Sequence, residues 1–282
     1  ALTQENVALV IELCRRLDGV PLAIEMAAAR APFLGLARLL EQLDQRFAIL
    51  RSQERDAPPR QRSLRLTLDW SYSLLGDVEK KLLLRLSVYV GSFGVEGAQC
   101  CTADIVPEAL AMLEALEGLV NRSLLMLDQL EPPRYRLLET TRAYANEQLV
   151  ATGELDEALR AHGRAMAQVA EAAQRDRINA PSIAWLEKYR ADYDDLAEAF
   201  DRAHARLDAD VAAALLVVLR DIDQLRGLFN SSGRRVQGSV DLIPHASALG
   251  KARLYGFIAS CGWVTLAEPS RLECAERAVA LW

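Results

Sequence analysis

The sequence lacks the features that mark exported, membrane-spanning and disulfide-stabilised proteins. Its longest apolar runs, such as Val211–Leu219, reach about half of the roughly 20 residues that a membrane-spanning helix needs. No export signal is present, and the five cysteines contain no pair with the spacing of a metal clip or a redox pair. We therefore expect a cytoplasmic protein with no membrane partner.

A phosphate-binding loop is also missing. Such a loop needs glycines whose backbone amides hold the phosphates, followed by Lys and Ser or Thr, and Mg²⁺ needs an acidic residue at a strand end. The three histidines, His162, His204 and His245, lack the spacing of a metal motif, and each is predicted to lie at the surface or at a helix end. We expect no catalytic residue, no metal site and no enzymatic activity in this chain.

Basic residues are not in excess. The sequence has 33 Lys and Arg against 39 Asp and Glu, a net charge of −6, so it has no overall attraction to nucleic acid. Asp192, Asp194 and Asp195 form an acidic cluster on a predicted helix, which we interpret as a solvated face. The length of 282 residues exceeds one compact helical core and predicts two or three units.

The first segment has helical periodicity. Apolar residues from Val7 to Leu17 recur every three or four positions, Gly19 ends that pattern, and Pro21 stands where the first turn of a second helix tolerates proline. A third helix is predicted near Leu36–Leu43, and the polar stretch Arg51–Pro59 is predicted to be a linker. Because Ala1 leads directly into a helical pattern, we expect a piece of a longer protein.

The middle segment has the order of elements typical of a winged helix. Helices are predicted at Leu64–Leu75, Val78–Val88, Val95–Cys101, Pro107–Val120 and Glu139–Val150. Two strands, Ser123–Asp128 and Arg134–Leu138, are predicted to form a hairpin before the last of these helices.

After Gly153 only helical patterns follow, including one long helix predicted at Ile183–Leu207. Such a series predicts an α-solenoid of tetratricopeptide (TPR)-like repeats. Tyr255, Ile258, Ala259 and Ala278 occupy characteristic positions of that repeat, whereas Gly262 and Arg271 do not. The predicted fold class is therefore mainly α, with a helical lid, a winged helix carrying a small hairpin, and a TPR-like solenoid.

Three segments in order resemble one family. Cys14–Glu25, with its Gly19-Val20-Pro21-Leu22 core, Thr67–Leu75 and Tyr135–Ala145 are similar to segments of signal-transducing (STAND, NB-ARC-like) ATPases found in bacterial transcriptional regulators of the LuxR and AfsR kind. Three ordered matches over about 150 residues are more specific than any single motif.

This resemblance implies three domains and a nucleotide. Residues 1–55 would be the helical lid, 60–153 the winged helix and 155–282 a repeat array that senses a protein or small-molecule signal. In the family the proline of the lid segment lies against the bound nucleotide, so Pro21 inherits that role, with Gly19 and Leu22 shaping the turn. ADP or ATP with Mg²⁺ would bind the longer parent, whose upstream nucleotide-binding domain would be a partner of this chain.

A second nucleotide contact of the family is altered here. Many relatives carry Met-His-Asp after the hairpin, and the matching residues are Leu137, Leu138 and Glu139. Leucine at the histidine position removes that phosphate contact, whereas Glu139 keeps an acid at a predicted helix N-terminus. Glu139 is therefore either a residue of the nucleotide switch or a capping acid.

Direct DNA binding by the winged helix is not expected. The predicted recognition helix, Pro107–Val120, contains three glutamates and no basic residue, whereas base and phosphate contacts use Arg, Lys, Asn or Gln. Arg122, Arg134 and Arg136 are interpreted as solvated residues around the wing.

Two functions follow. The first is the regulatory part of a nucleotide-dependent switch in a bacterial transcriptional regulator, which couples nucleotide state to sensing of a ligand or partner. The alternative is a protein-binding scaffold of winged helix and helical repeats without nucleotide.

Overall fold

A computed structural model of the chain describes residues 6–17, 21–42, 59–128, 132–261 and 269–281. Apart from one pair of short strands, the regular elements of this described part are helices. In chain order the elements are α1 (Val7–Arg16), α2 (Pro21–Ala28), α3 (Ala31–Leu34), α4 (Pro59–Ser73), α5 (Asp77–Leu86), α6 (Val95–Thr102), α7 (Ala109–Asn121), β1 (Met126–Asp128), β2 (Arg134–Arg136), α8 (Glu139–Thr152), α9 (Leu155–Arg177), α10 (Ser182–Tyr189), α11 (Tyr193–Ala205), α12 (Ala209–Arg226), α13 (Phe229–Leu242), α14 (Ala248–Ser260) and α15 (Arg271–Leu281).

The chain divides into two compact units. The first combines Ala1–Ser87 with Ala103–Thr152, and the second combines Val88–Thr102 with Gly153–Trp282. The segment that contains α6 therefore belongs to the second unit, although its sequence neighbours α5 and α7 belong to the first. The three domains predicted from the sequence stay a prediction.

The N-terminal helices of the first unit share one apolar core with α4. Trp70 of α4 is 2 % exposed and packs in a cluster with Leu17, Ala23, Ala27 and Leu39. The alanines of α2 have no bulk beyond Cβ, so α4 approaches this helix closely. Residues 36–42 are helical as well. Sequence periodicity predicted these helices because their apolar faces are buried here.

Three further helices and the hairpin complete the first unit. Glu79 accepts a hydrogen bond from the Gly76 backbone N–H at 2.9 Å and so fixes the start of α5, and this helix packs against α7 and α8. The strands β1 and β2 pair antiparallel, with Leu127 opposite Tyr135. The hairpin therefore lies between α7 and α8, which correspond to the last two predicted helices of the winged helix.

The second unit is a helical array in which α9 packs against α6, α11 and α12. Small residues line the buried face of α9, namely Ala158, Ala161, Ala165, Ala170 and Ala173. Where one helix, Ile183–Leu207, was predicted, the chain forms α10 and α11 separated by a 3₁₀ turn at Arg190–Asp192. Trp185 Nε1 donates to the Ala173 carbonyl at 2.8 Å, which holds α10 against α9 while α11 packs on α12.

The mainly α fold class is confirmed, and Gly153 ends α8 as predicted. Its φ of +75° lies in the left-handed region, where a side chain would strain the backbone. The array is helical throughout its described residues, but TPR-like repetition stays a prediction. Gly262 and nearly all of the predicted linker, Arg51–Pro59, lie outside the described residues. No helix in the described part of the chain is long and apolar enough to cross a membrane.

Candidate functional site

Two of the three segments that carry the family resemblance meet at α4. Asp69, in the middle segment, accepts a hydrogen bond of 2.8 Å from the Tyr144 hydroxyl of α8. The rings of Tyr72 and Tyr144 are arranged edge to face, with centroids 5.9 Å apart. Burial and the Asp69 hydrogen bond raise the pKa of Tyr144, so this hydroxyl stays a donor at physiological pH. The middle and last segments are thus joined directly.

The first segment of the resemblance meets the same helix through α2. Ala23 and Ala27 of α2 lie in the core cluster around Trp70, and the Arg30 guanidinium is 4.9 Å from the Trp70 ring centroid. Helix α4 therefore packs against both the lid segment and α8. The three segments, separated by up to about 120 residues in the chain, form one structural unit.

The predicted nucleotide-contact residues lie at helix ends. Pro21 is exposed and is the first residue of α2, where its missing N–H costs no helical hydrogen bond. Leu22 follows it in the helix, whereas Gly19 lies outside the described residues. Glu139 is the first residue of α8, and its exposed carboxylate pairs with Arg142 at 2.6 Å. This pairing suits a capping acid, and the nucleotide roles of all four residues stay predictions.

A groove of about 470 Å³ opens beside the lid helices in the first unit. Its aromatic wall is Phe33, whose side chain is 88 % exposed, and Arg30 and Arg122 contribute guanidinium groups. Arg122 is held by Glu79 Oε1 and the Gly118 carbonyl, both at 2.8 Å. A volume of this size admits a small molecule or part of a larger one. The sequence gives no signal for this groove, because its walls come from positions far apart in the chain.

The groove presents one aromatic ring and two guanidinium groups, of which that of Arg122 is already paired with Glu79. An aromatic face and two guanidinium groups suit a base and an anion. The described residues provide no glycine-rich loop to hold a phosphate chain, and they contain no cluster of His, Cys, Asp or Glu that could hold a metal ion. The phosphates and Mg²⁺ of a bound nucleotide would need groups other than these described residues.

The exposed face of α7, the helix at the recognition position, is apolar and acidic. Leu110 is 69 % exposed and Leu113 is 38 % exposed. Glu114, Glu117 and Asn121 continue the same exposed stripe at helical spacing. This face carries no cation for phosphate, so it fits a protein surface better than a DNA groove.

The arginines around the wing were predicted to be solvated, and the structure corrects this prediction. Arg134 is only 9 % exposed, and Arg122 is held within the unit by Glu79. Arg136 lies 3.4 Å from the Asp128 carboxylate across the hairpin. Ion pairs between elements account for the positions of Arg122 and Arg136, and the sequence pattern could not show them.

A buried polar cluster in the second unit joins the array to the chain segment before α6. Asp195 is 1 % exposed, and its carboxylate accepts hydrogen bonds from the backbone N–H groups of Val90 at 2.8 Å and Gly91 at 3.1 Å. The His162 Nε2 atom lies 3.3 Å from the same carboxylate. Arg202 donates to the Val88 carbonyl at 2.9 Å. We call Asp195, His162 and Arg202 the anchor cluster.

The anchor cluster corrects two predictions. His162 is fully buried, not at the surface or at a helix end, and Asp195 is not part of a solvated face. His204 is partly buried, with its ring against Phe200 and its Nε2 atom 3.1 Å from the Gly238 carbonyl. His245 ends a 3₁₀ turn and is exposed, as predicted.

The fold and this geometry define a mainly α protein that contains a winged helix. Residues 75–150 match the family model described as a winged helix-turn-helix domain. That match includes residues 88–102, which the anchor cluster and α9 hold in the second unit. The predicted winged helix with a small hairpin is confirmed.

Curated relatives come from mycobacteria. Over 156 residues, 55 % of this chain, the sequence is 41 % identical to "Putative HTH-type transcriptional regulator Rv0890c" of Mycobacterium tuberculosis strain H37Rv, of which the match covers 18 %. Over 161 residues, 56 % of this chain, it is 38 % identical to "Uncharacterized protein Rv0894" of the same strain, of which the match covers 41 %. The matches thus span less than half the length of each relative.

Proposed function

We propose that this chain is the regulatory part of a bacterial transcriptional regulator, in which the winged helix relays a nucleotide-dependent state to and from the helical array. The longer parent would hold ADP or ATP with Mg²⁺ in an upstream domain, against the lid segment. The chain itself would perform no chemistry, and the parent would hydrolyse ATP slowly at most. The name of the first mycobacterial relative and the winged-helix match support the regulatory part of this proposal.

The observation that carries the proposal is the anchor cluster. Asp195 and Arg202 of α11 bind the backbone of residues 88–91, and the His162 ring of α9 contacts the Tyr89 ring. Residues 88–91 lie inside the winged-helix match. A shift of α9 or α11 would therefore change the packing free energy of residues 88–91, which are part of the winged-helix match. Two ligands become coupled when both bias one such packing equilibrium, and the proposed switch requires this coupling.

The test uses the complete gene product and the variant Arg202→Gln. Losing the hydrogen bond to Val88 should change the half-time of bound ADP release, measured after rapid gel filtration, by severalfold. Arg164→Gln, which removes an exposed pair with Glu157 on α9, is the matched control and should leave the half-time unchanged. Absence of bound nucleotide, or equal half-times for both variants, would refute the switch.

A scaffold without nucleotide is the second candidate, and the exposed stripe of α7 favours it. Exposed leucines flanked by glutamates fit a partner protein with a basic rim around an apolar centre. In a scaffold, that partner would bind with equal affinity whether or not ADP is added. The same stripe disfavours direct DNA binding by α7.

A further inference from the structure

A second groove, of about 300 Å³, lies in the helical array between α11 and α13. It is lined by Phe200, Asp201 and His204 of α11 and by Arg234, Arg235 and Gly238 of α13. A volume at the low end of the roughly 300–1,000 Å³ of ligand pockets suits a small molecule and is too small for a nucleotide. This groove is separate from the one beside the lid helices.

One charge of the groove is already neutralised. Arg235 is only 12 % exposed and pairs with the fully buried carboxylate of Asp223. The Tyr193 hydroxyl also donates to Asp223, at 2.6 Å, and the Arg235 guanidinium lies 5.8 Å from the Tyr193 ring centroid. These contacts fix Arg235 as part of the wall.

Two opposite charges remain at the groove. Arg234 and Asp201 are both exposed, and neither has an ion-pair or hydrogen-bond partner among the described residues. A simple anion would be repelled by Asp201, and a simple cation by Arg234. A molecule that carries both a carboxylate and an ammonium group can form an ion pair with Arg234 and another with Asp201.

His204 and Gly238 set the remaining chemistry. A carbonyl oxygen can only accept, so His204 Nε2 donates to the Gly238 carbonyl. At Gly238 an added Cβ would lie 3.0 Å from His204 Nε2, so the close approach of α13 to this ring depends on glycine. The buried ring of Phe200 offers an apolar surface beside these polar groups.

We infer that this groove binds a small zwitterion of the α-amino acid class, with Arg234 on the carboxylate and Asp201 on the ammonium group. As the signal sensed by the array, this ligand rests on the proposed function. Its binding to the groove does not.

The test is calorimetric titration of the complete chain with the common α-amino acids, with L-phenylalanine as the reference aromatic ligand. Phenylpropionate lacks the ammonium group and phenethylamine lacks the carboxylate. Each analogue should bind at least about tenfold more weakly than the amino acid, because a hydrogen bond to a charged group is lost. Binding of an analogue as tight as that of its parent amino acid would overturn the inference.

Variants locate the site. Arg234→Gln and Asp201→Asn alter exposed side chains, so the fold should persist, and each should weaken the best-binding amino acid by about tenfold. Gly238→Ala should also weaken it by displacing His204. Arg175→Gln and Asp241→Asn change exposed charges outside the groove and should have no effect.

The outcomes separate the two proposals. If no amino acid binds, or if both groove variants bind normally, the ligand site is wrong while the ADP measurements stand. If an amino acid binds through Arg234 and Asp201 but ADP release never changes, the site is right and the nucleotide switch is wrong.

Discussion

At the scale of single residues, Asp195 is a buried charge that links two segments of the second unit. Its carboxylate is buried and is satisfied by two backbone N–H groups and by His162. A buried carboxylate stabilises the fold only with its partners in place, because a buried charge or N–H group without a partner has lost its hydration and gained no hydrogen bond. It also excludes a side chain at Gly91, where an added Cβ would lie 3.0 Å from Asp195 Oδ2.

Replacing Asp195 should therefore be costly. We expect Asp195→Ala to lower the free energy of unfolding by about 3 kcal/mol, since the Val90 and Gly91 N–H groups lose their acceptor. Urea titration measures this, and hydrogen exchange should show faster exchange at both amides. Asp194→Ala is the matched control, because Asp194 is its exposed neighbour, and it should cost under about 0.5 kcal/mol. Equal costs for both variants would contradict the assigned role.

His162 gives the second unit a pH dependence. Burial is the largest influence and lowers the pKa of His162, Asp195 opposes that shift, Arg202 adds to it and Glu198 opposes it. The ring borders the aromatic ring of Tyr89, with centroids 4.6 Å apart. The unfolded chain thus binds a proton more readily than the folded chain, so stability is complete above the unfolded pKa and falls as pH drops below it.

We expect the melting temperature to fall between pH 7.5 and pH 5, a window that brackets the ordinary histidine pKa of about 6.5. In His162→Gln the part of this fall that comes from the ring should disappear. Differential scanning calorimetry at matched ionic strength measures both proteins. His245→Gln, at an exposed histidine, should keep the wild-type pH dependence. An unchanged pH dependence in His162→Gln would mean that the buried ring does not take up the proton.

At the scale of elements, periodicity predicted helices well and polar positions poorly. The predicted helices of the winged helix were each found within a few residues of their predicted bounds. Yet Asp195 directly precedes the buried Leu196 and lies four positions before Ala199 on the same buried stripe. His162 likewise lies four positions after Ala158 and four before Met166. Their positions on apolar helix faces indicate burial. Residue type alone, an acid or a histidine, wrongly predicted exposure.

The partners of these residues could not be predicted from the sequence. Val90 lies 105 residues from Asp195, and no local pattern connects them. The same holds for Asp69 and Tyr144, 75 residues apart, which join two segments of the family resemblance. Periodicity gives the buried face of an element, whereas pairing between elements depends on tertiary packing.

The exposed stripe of α7 allows a prediction about DNA. Wild-type chain should show no salt-dependent binding to duplex DNA, because Glu114 and Glu117 oppose the phosphates. The double variant Glu114→Lys with Glu117→Lys should gain weak binding that falls as salt rises, as measured by fluorescence anisotropy. Glu96→Lys with Glu154→Lys adds the same charge away from α7 and is the control. Strong salt-dependent binding by the wild type would contradict this interpretation of α7.

At the scale of the whole molecule, each of the two units has its own packing contacts with part of the predicted winged-helix module. The array holds residues 88–91 through hydrogen bonds from Asp195 and Arg202 of α11 and a ring contact from His162 of α9. The lid segment shares one core with α4 through Ala23, Ala27 and Trp70. A protein built this way can transmit a change from either connection only if the packing has two arrangements of similar free energy.

Pro21 provides the prediction at this scale, in the complete gene product. Pro21→Ala keeps α2, since alanine is a good helix former at the exposed first position of the helix. It removes the rigid apolar ring that the family resemblance places against the nucleotide. We expect ADP to dissociate about tenfold faster, which corresponds to the loss of one modest apolar contact.

The matched control is Pro133→Ala, at an exposed proline beside the hairpin. It removes the same ring from a place with no expected nucleotide contact, so its ADP release should equal that of the wild type. Both variants should unfold at the wild-type temperature without nucleotide, which excludes a general loss of stability. If both prolines change ADP release equally, Pro21 acts through the stiffness of the chain and not through the nucleotide. If neither does, the lid role of α2 fails, while the anchor cluster and the amino acid site keep their own tests.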